Sequence, residues 1–468
     1  MQEFDMTILG SGPGGYTAAI RAAQLGLKVA IIEKDKLGGV CLNIGCIPTK
    51  SLLKDAELVN KLKHINQHGI KAENVSFNFE KIIKRSRDVA AKSEAGVKYL
   101  MKKNKITVIN GFGKFNKDKT ISVYDSANKE IEKVKSKHTI IATGARPRQI
   151  GDIVFDEEKI LSSTGAMMLK KLPDSMTIVG SGAIGMEFAY FYNALGTKIT
   201  IVEMLPKILP VEDKEISDVV AKGFKTSGIT IHTNTKFEGV EIKNDKVFTK
   251  VSGDFSGEIE SDVVLLAIGI SANIHNIGLE DIGVELYKNG IRVDKDYKTT
   301  VDGLYAIGDC ALINPEGKPW LAHVASGEAI NCVEKIMNLH NHDINYDNIP
   351  GCTYCHPQVA SVGLTEEKAR AQGYELKIGK FPFSANGKSR AAGETTGMVK
   401  LIFDAKYGEL LGAHIVGAEA TELISELVML KSLEGTAESI IKTIHAHPTL
   451  SESILEAAGV AYGEAINI

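Results

Sequence analysis

The sequence predicts an α/β fold, and three observations carry that prediction. A strand, a glycine-rich turn, a helix and a second strand follow one another at the N-terminus, the same pattern returns near residue 180, and a pair of cysteines stands between the two copies. The chain has 468 residues, about three times the usual domain length, which predicts two to four domains.

Composition and charge exclude several classes of protein. Hydrophobic residues make up 44% and charged residues 24%, which is ordinary globular usage. The 55 basic and 58 acidic residues leave a net charge of −3, so we expect neither nucleic acid nor a membrane surface as a partner. No apolar run approaches the ~18 residues that a membrane helix needs. Six cysteines in so long a chain do not form a secreted disulfide framework.

The first copy of the repeated pattern begins with the apolar strand Phe4–Leu9. The strand runs into Gly10–Gly15, which has the form G-x-G-x-x-G, and a helix over Tyr16–Leu25 follows. The next strand, Lys28–Ile32, is closed by Glu33. A turn of this kind between a strand and a helix, with an acidic residue at the end of the second strand, is typical of a dinucleotide-binding unit.

The glycines of this turn each have a physical role in that interpretation. Gly10 allows the strand to turn sharply, and Gly12 and Gly14 let a pyrophosphate approach the N-terminus of the helix, where free N–H groups favour an anion. Gly15 lets the helix pack closely on the sheet. Glu33 can accept hydrogen bonds from a ribose.

The second copy repeats this layout. Met176–Val179 is the predicted strand, Gly180–Gly185 the turn, Glu187–Leu195 the helix and Lys198–Val202 the next strand, with Glu203 at its tip. Two intact motifs predict two dinucleotides, a bound FAD and an exchangeable NAD, because hydride chemistry belongs to such cofactors. A duplicated fold with one degenerate site is the alternative. The predicted NAD contacts are Gly180, Gly182, Gly185, Glu203 and Gly269.

The fold class is therefore α/β, with two Rossmann-like dinucleotide-binding domains followed by a C-terminal α+β domain. In that C-terminal part, the alternation of Met398–Phe403 predicts a strand and the periodicity of Ala420–Leu433 predicts a helix. The lysine-rich segment Lys129–Lys137 is expected to be a solvated turn between strands.

The cysteine pair, Cys41 and Cys46, lies within Gly38–Lys50. Pro48 and the helical pattern of Thr49–Lys63 place Cys46 at the start of a helix, where the dipole lowers the pKa of a thiol. A thiolate exchanges with disulfides or donates to a flavin. An inert buried pair, or half of a metal site, is the alternative, although zinc would need two more ligands and none stands nearby in sequence.

Taken with the two nucleotide motifs, Gly38–Lys50 closely resembles the pyridine nucleotide–disulfide oxidoreductases. The resemblance covers essentially the whole chain and includes Ala142–Pro147, Gly303–Asp309 and His445–Glu452. It is greatest for the members that oxidise protein-bound dihydrolipoyl groups with NAD. It therefore implies that activity, FAD as a bound cofactor, a homodimer, and the lipoyl domains and E2 core of a 2-oxo acid dehydrogenase or glycine cleavage complex as partners.

The resemblance also assigns roles near the flavin. Cys41 would be the thiol that meets the substrate, and Cys46 the thiolate that lies against the flavin. Lys50 would approach the flavin and pair with Glu187. Further contacts with FAD would come from Thr143, Gly144, Asp309 and Ala325.

The histidine near the C-terminus has its role from the resemblance alone. His447 would act as the general base, oriented by Glu452, and would serve the flavin of the other subunit. The residues by themselves are ambiguous, because His445 and His447 alternate as a metal pair on a strand would. No metal site is predicted, and the pair Cys352 and Cys355 is interpreted as incidental because further ligands at suitable spacing are lacking.

The resemblance divides the chain into four segments. Residues 1–145 form the FAD-binding domain, 146–272 the NAD-binding domain, 273–345 a return to the FAD-binding domain, and 346–468 the dimerisation domain. The segment Gly269–Asn273 lacks the arginine and proline that many members carry, which leaves a basic contact near the nicotinamide in question. The expected location is the cytoplasm, or an organelle matrix if a presequence has been removed.

Four other functions fit parts of the same sequence. Glutathione-type reductases prefer NADPH, and Glu203 disfavours them; mercuric reductases need a C-terminal cysteine pair, whereas the last cysteine here is Cys355. Soluble transhydrogenases lack the pair formed by Cys41 and Cys46. A flavoprotein that serves chiefly as a structural subunit of a complex has the same fold, but intact Cys41, Cys46 and His447 disfavour a purely structural role.

Overall fold

The computed structural model describes residues 1–313, 317–339 and 342–468. Contacts within the chain divide it into two compact units, each assembled from segments that are distant in sequence. The first unit comprises Met1–Ser51, Glu80–Arg148 and Gly269–Tyr346. The second unit comprises Leu52–Phe79, Gln149–Ile268 and Asp347–Ile468.

The strands are numbered here in chain order. They are β1 (Gln2–Leu9), β2 (Val29–Glu33), β3 (Thr107–Asn110), β4 (Phe112–Phe115), β5 (Ile121–Tyr124), β6 (Glu130–Ile141), β7 (Ala145–Pro147), β8 (Ile160–Leu161), β9 (Ser175–Val179), β10 (Lys198–Val202), β11 (Thr230–His232), β12 (Thr235–Lys243), β13 (Lys246–Gly253), β14 (Gly257–Ser261), β15 (Val263–Leu266), β16 (Ile270–Ala272), β17 (Leu286–Tyr287), β18 (Gly290–Arg292), β19 (Leu304–Ala306), β20 (Ala311–Leu312), β21 (Gly351–Thr353), β22 (Gln358–Gly363), β23 (Leu376–Pro382), β24 (Met398–Asp404) and β25 (Leu410–Gly417).

The α-helices follow the same convention. They are α1 (Pro13–Gln24), α2 (Gly39–Ile44), α3 (Cys46–Lys63), α4 (Phe79–Lys103), α5 (Ser163–Ala166), α6 (Ala183–Ala194), α7 (Lys214–Thr226), α8 (Ala322–Ile336), α9 (Glu366–Ala371), α10 (Gly387–Ala392), α11 (Ala420–Ser432), α12 (Ala437–Ile441) and α13 (Glu452–Tyr462).

The first unit is built on a sheet in the order β3-β2-β1-β6-β5-β4, with β19 paired to β6. The strands β1, β2, β3, β6 and β19 are parallel, which confirms the predicted α/β class. Their buried runs of Ile, Val and Leu are typical of a parallel sheet covered on both faces. Helix α1 begins three residues earlier than predicted, because Pro13 suits the first helical position.

The expectation of a solvated turn at Lys129–Lys137 is wrong. Most of this segment belongs to β6, which pairs with β1 on one side and β5 on the other. Val134 points inward and is 1% exposed, while Lys137 points outward and reaches Asp5 with its Nζ at 2.8 Å. The lysines alternate with inward residues and therefore mark the exposed face of a strand.

The second unit contains a parallel sheet in the order β11-β10-β9-β15-β8 and an antiparallel sheet in the order β21-β22-β25-β24-β23. The first of these carries α6 and repeats the strand–turn–helix layout of β1 and α1. The predicted strand at Met398–Phe403 and helix at Ala420–Leu433 are confirmed as β24 and α11. Strand β24 is buried on both faces, because α11 and α13 cover Val399, Leu401 and Phe403 on one side. On the other side, Lys400 and Ile402 face α7 and α9.

A buried cluster of ion pairs joins α7 to the antiparallel sheet of the second unit. The Nζ of Lys400, on β24, lies 2.9 Å from Asp213 Oδ1, 2.6 Å from Glu215 Oε2 and 2.8 Å from Glu366 Oε2. Only 2% of the Lys400 side chain is exposed. Burial by itself lowers the pKa of Lys400, but the three carboxylates outweigh burial and raise it to about 12. The lysine is therefore a cation that these carboxylates require.

Replacing Lys400 by methionine is expected to lower the free energy of unfolding by about 3–5 kcal/mol at pH 7, because three carboxylates lose their common cation. The pKa values of Asp213, Glu215 and Glu366 are lowered in the folded protein, so their contribution to stability is lost as pH falls below their ordinary values of 3.8 and 4.5. The difference between variant and wild type should therefore shrink in acid. Equilibrium denaturation at pH 7 and at a series of pH values below 3.8 measures both effects.

Lys380 provides the matched control for this experiment. Its Nζ lies 2.7 Å from Glu215, but 43% of its side chain is exposed. Because solvent screens exposed pairs, Lys380→Met should cost no more than about 1 kcal/mol. Equal losses for the two variants would contradict the assigned role of burial.

Candidate active site

The first glycine-rich turn connects β1 to α1 in the first unit. Gly10 has φ +101°, and a Cβ there would collide with the carbonyl oxygen of Ala142, just as a Cβ at Gly15 would collide with that of Gly10. At Gly12, by contrast, a Cβ would meet nothing within 4 Å. No side chain among the described residues caps α1 at Gly12, so the first N–H groups of the helix face open space, where an anion can bind.

Glu33 ends β2 beside this turn. Its Oε2 accepts hydrogen bonds from the Ser11 N–H at 2.9 Å and the Ser11 hydroxyl at 2.6 Å. Its Oε1 accepts from the Asp35 N–H at 2.9 Å. The carboxylate is thus held at the mouth of the turn, with lone pairs left for a ribose hydroxyl.

The second turn, in the second unit, has the same geometry. Gly180 has φ +98°, and a Cβ there would come within 2.5 Å of a carbonyl oxygen, whereas a Cβ at Gly182 would meet nothing within 4 Å. Glu203 accepts from the Ser181 N–H at 2.9 Å and the Ser181 hydroxyl at 2.6 Å. Gly185 packs against Gly180 as Gly15 does in the first copy. The structure therefore does not support the alternative of one degenerate copy.

Other predicted FAD contacts meet beside the first turn. A Cβ at Gly14 would lie 3.3 Å from the carbonyl oxygen of Ala325, and one at Gly308 would lie 3.3 Å from the Ala325 Cβ. Asp309, next to Gly308, has its pKa raised by burial, an effect that the charge of Lys318 opposes. An open helix start flanked by close-packed small residues and a carboxylate fits the diphosphate and sugar of FAD.

Two further predicted FAD contacts lie where the chain leaves the first unit. Thr143 donates through Oγ1 to the carbonyl oxygen of Asn273 at 2.7 Å. A Cβ at Gly144 would meet nothing within 4 Å, so the backbone there is open to a ligand. The neighbouring strands β7 and β16 pair antiparallel. Gly269, a predicted NAD contact, lies in this first unit, where its carbonyl accepts from the Arg148 N–H at 3.0 Å, and its NAD role stays a prediction.

The cysteine pair lies at the junction of two helices. Cys41 is in α2, and Cys46 is the first residue of α3, which confirms its predicted place at a helix start. A Cβ at Gly45 would come within 2.8 Å of the Val40 carbonyl oxygen and 3.1 Å of the Cys41 Cα. Glycine at this position therefore allows the two helices to bring their thiols together.

The start of α2, the helix that carries Cys41, packs directly on the first glycine-rich turn. A Cβ at Gly39 would lie 2.6 Å from the Gly12 Cα, and the Gly38 N–H donates to the Ser11 carbonyl at 3.0 Å. In the second copy, the Leu209 N–H donates to the carbonyl of Ser181 at the same distance, 3.0 Å. The redox pair is thus attached to the very turn that would hold the first dinucleotide.

The pKa of Cys41 depends on its partner Cys46. The pKa of Cys41 is raised by its hydrogen bond to Cys46, by burial and by the charge on Cys46, while the charge of Lys50 lowers it. Such a coupled pair titrates as a unit, and the assignment of the thiolate to Cys46 stays a prediction. Burial and the charges of both cysteines also raise the pKa of Tyr16, on the first turn of α1.

The residues that hold α2 in place were not identified from the sequence. Asn43, between the cysteines, donates through Nδ2 to the carbonyls of Leu37 at 3.0 Å and Gly39 at 2.9 Å. Arg87, on α4, donates through Nη1 to the Asn43 carbonyl at 2.8 Å. The asparagine could have been recognised from the sequence, because a polar residue inside a short apolar helix needs polar partners. Arg87 lies in no motif, so nothing in the sequence indicated its role.

His447 and Glu452 come together in the second unit. The Nδ1 of His447 lies 2.9 Å from Glu452 Oε1, and the Thr449 N–H donates to Glu452 Oε2 at 2.8 Å. Burial raises the pKa of Glu452, but the Thr449 N–H and the His447 ring outweigh it, so the net shift is downward. The His447 side chain is 80% exposed. An exposed imidazole oriented by a carboxylate suits a general base.

His445 has a different environment from His447. Its side chain is 5% exposed, with Nε2 2.8 Å from Glu426 Oε1 and Nδ1 2.9 Å from the Thr443 carbonyl. The two histidines lie in a loop and have separate partners, so the alternative of a metal pair on a strand is not supported. Among the described residues, no group of three or more His, Cys, Asp or Glu could hold a metal ion.

The remaining predicted residues lie as follows. Glu187 is buried in α6, and its Oε1 accepts from the Tyr354 N–H at 3.0 Å within the second unit. Lys50 belongs to the first unit, and its pairing with Glu187 stays a prediction. Cys352 lies in β21, and the buried Cys355 directs its sulfur at the Pro357 carbonyl, 3.2 Å away. The functional role of these two cysteines stays open.

A dithiol packed on a dinucleotide-binding turn is the arrangement of an enzyme that exchanges electrons between thiols and nucleotide cofactors. Residues 4–329 match the pyridine nucleotide-disulphide oxidoreductases, and residues 349–458 match the dimerisation domain of that family. The chain therefore belongs to this family, which confirms the resemblance drawn from the sequence. Membership implies a flavin and a nicotinamide cofactor, and the dimerisation domain supports a homodimer.

Full-length relatives narrow the class further. The chain is 47% identical to the dihydrolipoyl dehydrogenase of Zymomonas mobilis over 99% of both chains, and 46% identical to that of Rhizobium etli over 100% of this chain and 99% of the relative. Among solved structures, LpdA from Mycobacterium tuberculosis is similar with a TM-score of 0.90 and 26% identity, covering 98% of this chain and 99% of that one. Within the described part of the chain, no helix combines the length and apolarity needed to cross a bilayer.

Proposed function

We propose that the protein is a dihydrolipoyl dehydrogenase. It oxidises dihydrolipoyl groups to lipoyl groups and reduces NAD, by way of the Cys41–Cys46 pair and FAD. The observation that carries the proposal is the attachment of this pair to the first glycine-rich turn through Gly38 and Gly39. The full-length relatives that bear this name support the substrate.

The thiols and the histidine divide the work on the substrate. His447 takes a proton from one substrate thiol, and the resulting thiolate attacks the Cys41 sulfur of the oxidised pair. The Cys41–Cys46 bond breaks, a mixed disulfide forms on Cys41, and Cys46 leaves as a thiolate. The second substrate thiol then displaces Cys41 and gives its proton to the departing Cys41 sulfur, which releases the lipoyl disulfide and leaves the pair reduced. FAD, when bound, would supply the two-electron chemistry that links this dithiol to NAD.

The two glycine-rich turns hold the cofactors. The glycines of the first turn, Glu33, Lys50, Thr143, Gly144, Asp309 and Ala325 would hold FAD. Gly180, Gly182, Gly185 and Glu203 would hold NAD at the second turn. The protein is a homodimer in which His447 serves the other subunit's flavin, and its macromolecular partners are the lipoyl domains and E2 core of a cytoplasmic 2-oxo acid dehydrogenase or glycine cleavage complex.

Steady-state turnover tests the proposed substrate pair. The holoenzyme should reduce NAD with free dihydrolipoamide, and it should be at least a hundredfold slower in reducing oxidised glutathione with NADPH. Comparable rates in the two assays, or turnover of glutathione alone, would assign the protein to the glutathione-type reductases instead.

Glu203 is expected to set the preference for NAD over NADP. Its buried carboxylate accepts from a ribose hydroxyl and repels a 2′-phosphate. Glu203→Arg should therefore lower the ratio of kcat/KM for NAD to kcat/KM for NADP at least tenfold, which corresponds to about 1.4 kcal/mol. The ratio in Glu203→Gln should fall between those of the wild type and Glu203→Arg. The measurement is the initial rate with each nucleotide.

The matched control is Glu33→Gln, because Glu33 has the same hydrogen bonds at the first turn. It should weaken flavin retention and leave the ratio for NAD over NADP unchanged. An unchanged ratio in Glu203→Arg would rule out this role for Glu203.

A further inference from the structure

A buried ion pair in the first unit has no part in the reaction described above. Glu328, on α8, is 0% exposed, and only 2% of the Lys318 side chain is exposed. The Lys318 Nζ donates to both carboxylate oxygens of Glu328, with 2.5 Å to Oε2. Burying such a pair brings little net stability, because desolvation offsets the attraction between the charges. Its presence therefore suggests a specific structural task.

Glu328 also binds two other segments of the same unit. Its Oε2 accepts from the Gly308 N–H at 2.7 Å, and its Oε1 accepts from the Tyr346 hydroxyl at 2.8 Å. Hydrogen bonds to an ionised carboxylate are about twice as strong as neutral ones. The single carboxylate thus fixes Gly308, Lys318 and Tyr346 relative to α8.

The peptide that Glu328 holds lies at the first nucleotide turn. Gly308 has φ +69° and immediately precedes Asp309. Ala325, one helical turn before Glu328 on α8, is the residue that lies against both Gly308 and Gly14. The ion pair therefore supports the corner where α1, α8 and the Gly308–Asp309 peptide meet.

Lys318 also acts on the charge at this corner. Burial raises the pKa of Asp309, the charge of Lys318 lowers it, and the charge of Glu328 raises it. The charge of Lys318 also lowers the pKa of the buried Cys310 thiol, although burial dominates and raises it. Lys318 and Glu328 thus place opposite charges within electrostatic reach of Asp309.

We propose that Lys318 and Glu328 are positioning residues of the flavin site: Glu328 fixes the Gly308–Asp309 peptide, and Lys318 supplies the balancing positive charge. This inference rests on the proposed binding of FAD at the first turn. The pair governs how firmly FAD is retained and how easily it is reduced, because both depend on the fixed charges and dipoles beside it.

The test uses the holoenzyme and its Lys318→Met and Glu328→Gln variants. Both variants should release flavin at least tenfold faster, as followed by flavin fluorescence. Their flavin reduction potentials, measured by equilibration with a redox dye, should shift in opposite directions. Lys318→Met leaves a negative charge and lowers the potential, whereas Glu328→Gln leaves a positive charge and raises it. A merely structural role would not produce opposite shifts.

The double variant Lys318→Met/Glu328→Gln keeps the inference testable if either single variant fails to fold. Both charges are removed, so its potential should return to that of the wild type. Its flavin release should remain several-fold faster, because a neutral amide holds the Gly308 N–H more weakly than a carboxylate does. Release at the wild-type rate would overturn the inference.

Two controls separate positioning from stability. Tyr346→Phe removes one hydrogen bond from Glu328 without changing charge, and it should leave the potential unchanged. Lys400→Met breaks a similarly buried ion pair in the second unit. It should lower stability, as measured by far-UV circular dichroism, without changing the flavin reduction potential.

Shifts of the flavin reduction potential in the same direction in Lys318→Met and Glu328→Gln would overturn the inference. A wild-type protein that binds no FAD would instead overturn the proposed function.

Discussion

Replacing Cys41 by serine is expected to lower the turnover of dihydrolipoamide by at least about 10³, because residues that act as a unit lose nearly all of their effect when one of them is removed. A hydroxyl cannot form the disulfide that the substrate thiolate attacks. The variant should still oxidise NADH with a quinone or dye as acceptor, since that reaction bypasses the thiols. The two assays on one preparation measure the loss and its specificity.

The same experiment on Cys46 separates the roles of the two thiols. The proposed function assigns the thiolate beside the flavin to Cys46 and the contact with the substrate to Cys41. Charge transfer from a thiolate to the flavin gives a long-wavelength absorption band in the reduced enzyme. Cys46→Ser should therefore abolish this band, whereas Cys41→Ser should keep a thiolate–flavin band. A band that survives in Cys46→Ser would reverse the assignment. The double change of Cys352 and Cys355 to serine is the control, and it should leave turnover within a few-fold.

Loss of the imidazole in His447→Ala should lower dihydrolipoamide turnover by about 10² or more, the usual contribution of a general base. Electron transfer from NADH to a dye needs no such base and should be nearly intact. Glu452→Gln should fall between, because the amide still contacts Nδ1 but orients the ring less firmly than the carboxylate at 2.9 Å. Equal loss in the dye assay would show that His447→Ala damages the fold or the flavin site instead.

Mixed dimers test whether His447 serves the other subunit's flavin. If each site takes its thiols from one chain and its base from the other, a Cys46→Ser chain paired with a His447→Ala chain has one intact site of two. About half the wild-type rate per heterodimer is the expected result. A heterodimer no more active than its parents, in a mixture whose mass spectrum contains it, would place His447 in the site of its own chain.

The features that the sequence predicted well are local ones. The glycine-rich turns, the helix start at Cys46 and strand β24 depend on residues within one turn or one strand of each other, so short-range sterics and periodicity specify them. The proximity of His447 to Glu452 is also local, because a turn and the first residue of α13 bring them together, but only the family resemblance singled out this pair.

The features that could not be predicted depend on long-range packing. Arg87 reaches the Asn43 carbonyl in α2 from a helix that begins more than thirty residues later, and Glu328 binds the Gly308 N–H from twenty residues further along the chain. The segment Lys129–Lys137 misled for a related reason. Its lysines have a period of two, but a strand with one charged face resembles a solvated turn until its two neighbouring strands are known.

The two glycine-rich turns are anchored to the segments that cover them in the same way. Each binds its own acidic residue with the same pair of distances, and each is covered by a loop whose first anchor is an N–H to the second residue of the turn, from Gly38 in one copy and Leu209 in the other. The common arrangement is therefore the turn with its anchor, whereas the segment beyond the anchor differs between the two copies. In the first copy that segment carries the cysteines, so the thiols and the turn that supports them are separable parts of the chain.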